Sequence, residues 1–253
     1  MSSFESAGTA KARELIGSLN LTYPLNVFRL LQFLNFDKQV LLFPANDLPN
    51  NVSAIIMCHP HLDHHFIAYN ASHNIERIRF SIAHEIGHLV LEHKYYSIGE
   101  NEEPAVKKEA DDFATEILMP SSKFINSVKA NLTLDPVSLV LKLRDKRHFW
   151  VSLEATCRRM IDLGLFEGAF ILYNYYGRQF FYASENFEPC EETAESVNRL
   201  LVDLKSSLRP NTSILSEANN LFISARKFAS GQILAAITAD MKDRYNIVTA
   251  VNV

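Results

Sequence analysis

Apolar positions recur at helical spacing over residues 9–19 and again over 24–34, where Val27, Leu30, Leu31 and Leu34 share a face. Three short apolar runs follow, at 40–43, 53–57 and 66–69, each bounded by polar or proline-containing turns. They predict strands, the last two forming a hairpin. Over residues 74–93 the helical period returns, with Ile78, Ile82, Ile86, Leu89 and Val90 on one apolar stripe. A polar loop is expected over 97–103. Pro104 then suits a first helical position and Pro120 a stop, so a helix is expected over 104–119. Asp135-Pro136 opens another helix, and Ser152 caps one more that Gly164 ends.

After Gly168 the pattern changes. Strands are expected over 169–175 and 178–184, around Tyr176-Gly177, then a helix over 191–208 and strands over 221–228, 232–239 and 246–251. The chain therefore reads as α+β in three parts: residues 1–130, a helical segment 131–167 with helix-turn-helix character, and an α+β domain 168–253.

Hydrophobic residues make up 47% of the 253 positions, which supplies enough apolar surface to offset ordering entropy and excludes disorder over the whole length. A net charge of −4 excludes a protein whose main work is coating nucleic acid or an anionic membrane, though it leaves room for a local basic patch. Cys58, Cys157 and Cys190 lie far apart and form no CxxC pair, so neither a disulfide framework nor a zinc ribbon is expected. The first residues lack the apolar core of a signal peptide, and no run approaches the ~18 apolar residues of a membrane span. The expected location is the cytoplasm.

The chemistry is concentrated in His84-Glu85-Ile86-Gly87-His88, an HExxH sequence within the strongest amphipathic helix. Four residues apart on a helix, two imidazoles project from one face and can reach a single metal ion. Glu85 lies beside that face, where a general base is needed to take the proton of an attacking water. A catalytic zinc site requires a third protein ligand and an open position. A histidine six residues after the second motif histidine, behind a glycine turn, is one solution. Here those positions hold Lys94 and Leu91, and His93 misses by one residue. A glutamate from the following helix is the other solution. Glu109 occupies the expected place and is favoured, with Asp112, one helical turn on, as a supporting hydrogen-bonding group or the ligand itself. His93 reads as a helix-end histidine with satisfied nitrogens.

Three segments together carry a resemblance. Residues 77–88, Arg-Ile-Arg-Phe leading into the HExxH helix, are followed by Glu109-Ala110-Asp111-Asp112-Phe113-Ala114 and by Leu118-Met119-Pro120. These resemble the ImmA/IrrE family of zinc metallopeptidases, whose pattern is an R-x-R-F lead-in, HExxH, an E-A-N-x-F-A segment and an L-M-P helix end. The resemblance covers about residues 10–168 and implies a zincin-like domain holding one Zn2+ through His84, His88 and Glu109. Glu85 is then the catalytic base. Asp111 departs from the family's usual asparagine and adds a charge near the site. Known members are regulators that cut a helix-turn-helix repressor once. The resemblance thus implies a zinc endopeptidase with a dedicated protein substrate, and the C-terminal part as sensory or substrate-binding. The alternative is a non-catalytic zinc-containing regulator that binds a repressor or DNA. Tyr95, Tyr96 and the later arginines are candidate donors to the oxyanion.

His59, His61, Asp63 and His64 spell HxHxDH, as in the metallo-β-lactamase superfamily, but read here as a histidine-rich hairpin tip, with a second metal site the alternative. Arg77 and Arg79 read as surface or structural ion-pair formers, and Trp150 as core. Lys142, Arg144, Lys146, Arg147, Arg158 and Arg159 permit DNA contact through 136–164, although Asp145, Glu154 and Asp162 dilute that patch.

Overall fold

The computed structural model describes residues 5–57, 63–93, 103–174, 177–185, 187, 199, 202, 206, 213–218 and 221–238. Cys58, His59, His61, Tyr95, Tyr96, Tyr176, Cys190, nearly all of the 191–208 helix and the 246–251 strand lie outside them. The fold is α+β. The chain divides into two compact units, one made of Met1–Lys123 with Asp145–Ser152, the other of Phe124–Arg144 with Leu153–Val253.

In the first unit, α1 (Ala7–Leu19) and the single-turn α2 (Val27–Leu30) precede strands β1 (Gln39–Ala45), β2 (Ala54–Met57) and β3 (His64–Asn70). Helices α3 (Ile75–Val90) and α4 (Pro104–Leu118) follow. The sheet has the order β1-β3-β2, with β1 parallel to β3 and β2 antiparallel to it. The expected β2–β3 pairing is present, with Ala54 opposite Tyr69. The helix expected over 24–34 is shorter. Val27 and Leu30 are fully buried in α2, the chain tightens into a 3-10 turn at Leu31–Phe33, and Phe33 stays exposed. Helices α1 and α3 start at side-chain caps, Ser6 accepting from the Thr9 N–H and Asn74 from the Arg77 N–H. Buried Asn70 donates to the Leu48 and Val52 carbonyls and accepts from Ser72, fastening the loop between β1 and β2 to the end of β3.

The core of this unit joins Ile78, Ile82 and Ile86 of α3 with Ala110, Phe113 and Ile117 of α4, all buried. Two glycines set how closely the helices approach. A Cβ on Gly87 would lie 3.0 Å from Phe113 Cδ1 and 3.3 Å from Ala110 Cα, and one on Gly8 would lie 1.9 Å from the Glu109 carbonyl oxygen. Gly8→Ala is therefore expected to lower stability by about 2 kcal/mol in chemical denaturation, because α1 or α4 must move. Gly17→Ala, in the same helix with nothing within 4 Å of its added Cβ, should instead raise stability by up to ~1 kcal/mol. Equal effects would show that the α1–α4 contact is not tight.

Helix α5 (Ser121–Lys129) was not evident in the sequence. Buried Glu116 explains its start, accepting from the Ser121 N–H at 3.1 Å and from the Ser121 hydroxyl at 2.6 Å.

The second unit holds α6 (Pro136–Arg144), α7 (Leu153–Asp162) and strands β4 (Ala169–Asn174), β5 (Gly177–Ala183), β6 (Ser213–Ala218), β7 (Leu221–Lys227) and β8 (Ile233–Thr238). The sheet order is β5-β4-β8-β7-β6, antiparallel throughout. β8 is buried at every position and β4 at its first four, which is why both read as unbroken apolar runs. Asp135 caps α6 through the Val137 and Ser138 N–H groups and accepts from Ser224 of β7. Burial works to raise the Asp135 pKa, but the Ser138 and Ser224 hydroxyls and those amides hold it below the ordinary value. A lowered carboxylate contributes stability that is present above about pH 4 and lost as pH falls through its folded value. Asp135→Ala should cost about 1 kcal/mol at neutral pH. The difference from wild type should shrink in acid, as read from denaturation midpoints at pH 7 and pH 3.

Candidate metal centre

Helix α3 places His84 and His88 one turn apart on the side toward α4, and the missing side chain at Gly87 lets α4 come close. The two rings meet with their Nε2 atoms 3.0 Å apart. A tetrahedral zinc with ordinary Zn–N distances holds two nitrogens roughly 3.3 Å apart, so the pair is nearly spaced as chelating donors. His84 Nδ1 lies 2.8 Å from Asp111 Oδ1. His88 Nδ1 lies 2.9 Å from His93 Nδ1, and His93 Nε2 lies 3.1 Å from Glu109 Oε2. Glu109 reaches the histidine pair through His93. Among the described residues, no three His, Cys, Asp or Glu side chains are arranged as a metal-binding group.

The turn that ends α3 explains how His93 enters the cluster. Glu92 takes the left-handed conformation at φ 55°. The His93 N–H then donates to the His88 carbonyl at 3.1 Å, and the Glu92 N–H to the Leu89 carbonyl at 3.2 Å. This is the paired closure of a Schellman motif, and it folds the chain back over the last helical turn. His93 is thus a helix-end histidine with both ring nitrogens engaged. Asp112 pairs with Lys108 Nζ at 2.6 Å, and its neighbour Asp111 is the carboxylate that meets His84.

Burial pushes the His88 pKa down to about 3, with His84 and His93 acting in the same direction and Asp111 opposing. The ring is neutral at ordinary pH. The His84 and His93 side chains are mostly buried, whereas those of Asp111 and Glu109 are 42% and 39% exposed, so each carboxylate keeps water while facing a ring. Glu85 is buried on the same helix.

Comparison with known proteins bears on this arrangement. The family model described as Peptidase_M78, IrrE N-terminal-like domain, matches residues 43–160. This segment belongs to the ImmA/IrrE family. It runs from β1 through most of α7 and contains the whole histidine–carboxylate cluster. No curated protein matches the chain. A solved structure of a Mycobacterium tuberculosis transcriptional regulator is similar at 14% identity and a TM-score of 0.55, covering 97% of this chain and 79% of that one. That likeness is one of fold.

The arginines of the family's lead-in take different parts from the ion pairs expected of them. Arg77 donates to the Ser53 hydroxyl and, at 3.4 Å, to the Asn51 carbonyl. Arg79 is buried and donates to the carbonyls of Leu25, Phe149 and Trp150. Trp150, read as core, is half-buried and lies under the Arg79 guanidinium at 4.6 Å, while its neighbour Phe149 is buried. Within 136–164, Arg159 is buried, Arg158 lies over the rings of Phe180 and Tyr182, and Lys142 donates to Asn131 Oδ1, so these basic groups are engaged inside their unit. Of the histidine-rich segment, His64 meets Gln39 Oε1 at 3.0 Å and His65 meets Asp37 at 3.5 Å. Among the described residues no helix is long and apolar enough to cross a membrane.

Proposed function

We propose that this protein is a zinc-dependent endopeptidase that cuts a specific protein partner, such as a helix-turn-helix repressor, in a regulatory role. One observation carries the metal reading. The Nδ1 atoms of His84 and His88 each face a partner, which leaves both Nε2 atoms directed at one another across 3.0 Å. With Nδ1 of each ring turned to its own partner, the two Nε2 atoms stand close to the spacing of chelating donors, and a cation between them would join both rings. His84 and His88 would hold the ion together with Glu109, an N₂O donor set suited to zinc. Zinc bound there supplies Lewis acidity toward a peptide carbonyl and acidifies water in its open position.

The chain's own residues supply the rest. Glu85 takes the proton of the attacking water and passes it toward the leaving amine. Asp111 accepts from His84 Nδ1, fixing the ring with Nε2 inward. The family membership of residues 43–160 supports a peptidase, and the resemblance to repressor-cutting regulators supports a dedicated substrate over general digestion.

Metal content tests the site directly. About one zinc per chain is expected in protein purified without chelator or affinity metal, falling to near zero in His84→Ala and Glu109→Ala. Elemental analysis decides it. Zinc retained in both variants would sink the assignment, and two equivalents with one surviving would move attention to the histidine-rich segment ending at His65.

A further inference from the structure

We propose that His93 is a positioning residue that sets the tautomer of His88 and holds the carboxylate of Glu109. The proposal rests on the reading of His84, His88 and Glu109 as metal donors, and it assigns work to a residue that no ligand spacing picks out. At neutral pH a carboxylate only accepts hydrogen bonds, so the 3.1 Å contact with Glu109 Oε2 places the proton of His93 on Nε2. In the proposed arrangement the His93 ring carries only that proton, and its Nδ1 accepts. His88 Nδ1, 2.9 Å away, is the donor in this arrangement, and the lone pair of His88 stands on Nε2.

One ring thereby fixes two things at once. It leaves His88 Nε2 as an acceptor turned toward His84 Nε2, and it holds one oxygen of a carboxylate whose side chain is 39% exposed. His93 is not itself a donor to the ion in this arrangement, because both of its nitrogens are engaged. Its own placement is secured by the backbone, through the left-handed Glu92 and the bond from the His93 N–H to the His88 carbonyl. Outer partners of this kind change metal affinity by roughly 10–100-fold when removed.

Two variants test it. His93→Leu fills the space without either hydrogen bond. His93→Gln offers an oxygen that can accept from His88 and an amide N–H that can donate to Glu109. The first readout is the nitrogen-15 spectrum of the histidine rings in metal-free protein. His88 should be the Nδ1–H tautomer in wild type and His93→Gln, and should lose that preference in His93→Leu. The second readout is Zn2+ affinity in competition with a chromophoric chelator. A loss of roughly 10–100-fold is expected for His93→Leu, with most of it restored in His93→Gln.

An unchanged His88 tautomer in His93→Leu would overturn the proposal, as would a Zn2+ affinity equal to wild type in a chain where Glu109→Ala has lost the metal. Wild-type protein that binds no Zn2+ would overturn the metal reading alone. The tautomer comparison needs no metal, and it would still decide the role of His93.

Discussion

Glu85→Gln is expected to lower the rate of peptide hydrolysis by about 10³-fold or more while leaving zinc content and folding unchanged. The substitution keeps the shape of a buried side chain and removes its ability to take a proton. Glu85 lies on α3 between two histidines whose Nδ1 atoms are already engaged, so the imidazoles are poorly placed to replace it as base. The measurement is cleavage of the partner protein by the variant beside wild type, with zinc per chain determined on the same samples. A variant that keeps its metal and loses cleavage places Glu85 in the reaction. A variant that regulates its partner as wild type does would leave the peptidase reading without support and favour a regulator that acts by binding.

Much of this was legible from residue patterns. The HExxH segment sits on a strong amphipathic stripe, and the stripe is what buries Ile78, Ile82 and Ile86 and leaves the histidines facing α4. Pro104 and Pro120 bracket α4 because proline lacks the N–H that a helix interior needs. What was hidden has specific causes. The turn after α3 carries Glu92 where a glycine would have announced a left-handed residue, so nothing warned that His93 folds back onto His88. Asp111 stood out only as a departure from the family's asparagine, although it is the group that meets His84. β6 has an apolar core of only two residues, Ile214 and Leu215, between polar flanks, and its place is set by pairing with β7. Pairing across a sheet has no local sequence period, and the same limit concealed how Gly8 seats α1 on the Glu109 backbone.

Arg79 is the other place where charge misleads, and its replacement should have the largest effect on stability. In sequence an arginine flanked by Ile78 and Phe80 suggests an ion pair at the surface. In the structure it is 1% exposed and its guanidinium spans three backbone carbonyls, with Leu25 at 2.8 Å, Trp150 at 3.0 Å and Phe149 at 3.4 Å. The planar fork matches this task, because it can donate in several directions from one rigid group. Burial lowers its pKa to about 10, with Glu76 acting against the shift, so the group remains charged at neutral pH. Trp150 is in the left-handed region at φ 52°, which costs an ordinary residue roughly 1–2 kcal/mol. The bond from Arg79 to its carbonyl and the ring beneath the cation help to offset that cost. Arg79→Met keeps most of the volume and removes every donor, leaving three carbonyls to find other partners. A loss of about 3–5 kcal/mol is expected, read from the shift in denaturant midpoint at unchanged slope. Arg79→Lys should recover only part of this, because an ammonium cannot reproduce the fork. A loss below about 1 kcal/mol in the methionine variant would mean that water reaches these carbonyls, and that the segment 149–150 is not held to α3 by this side chain.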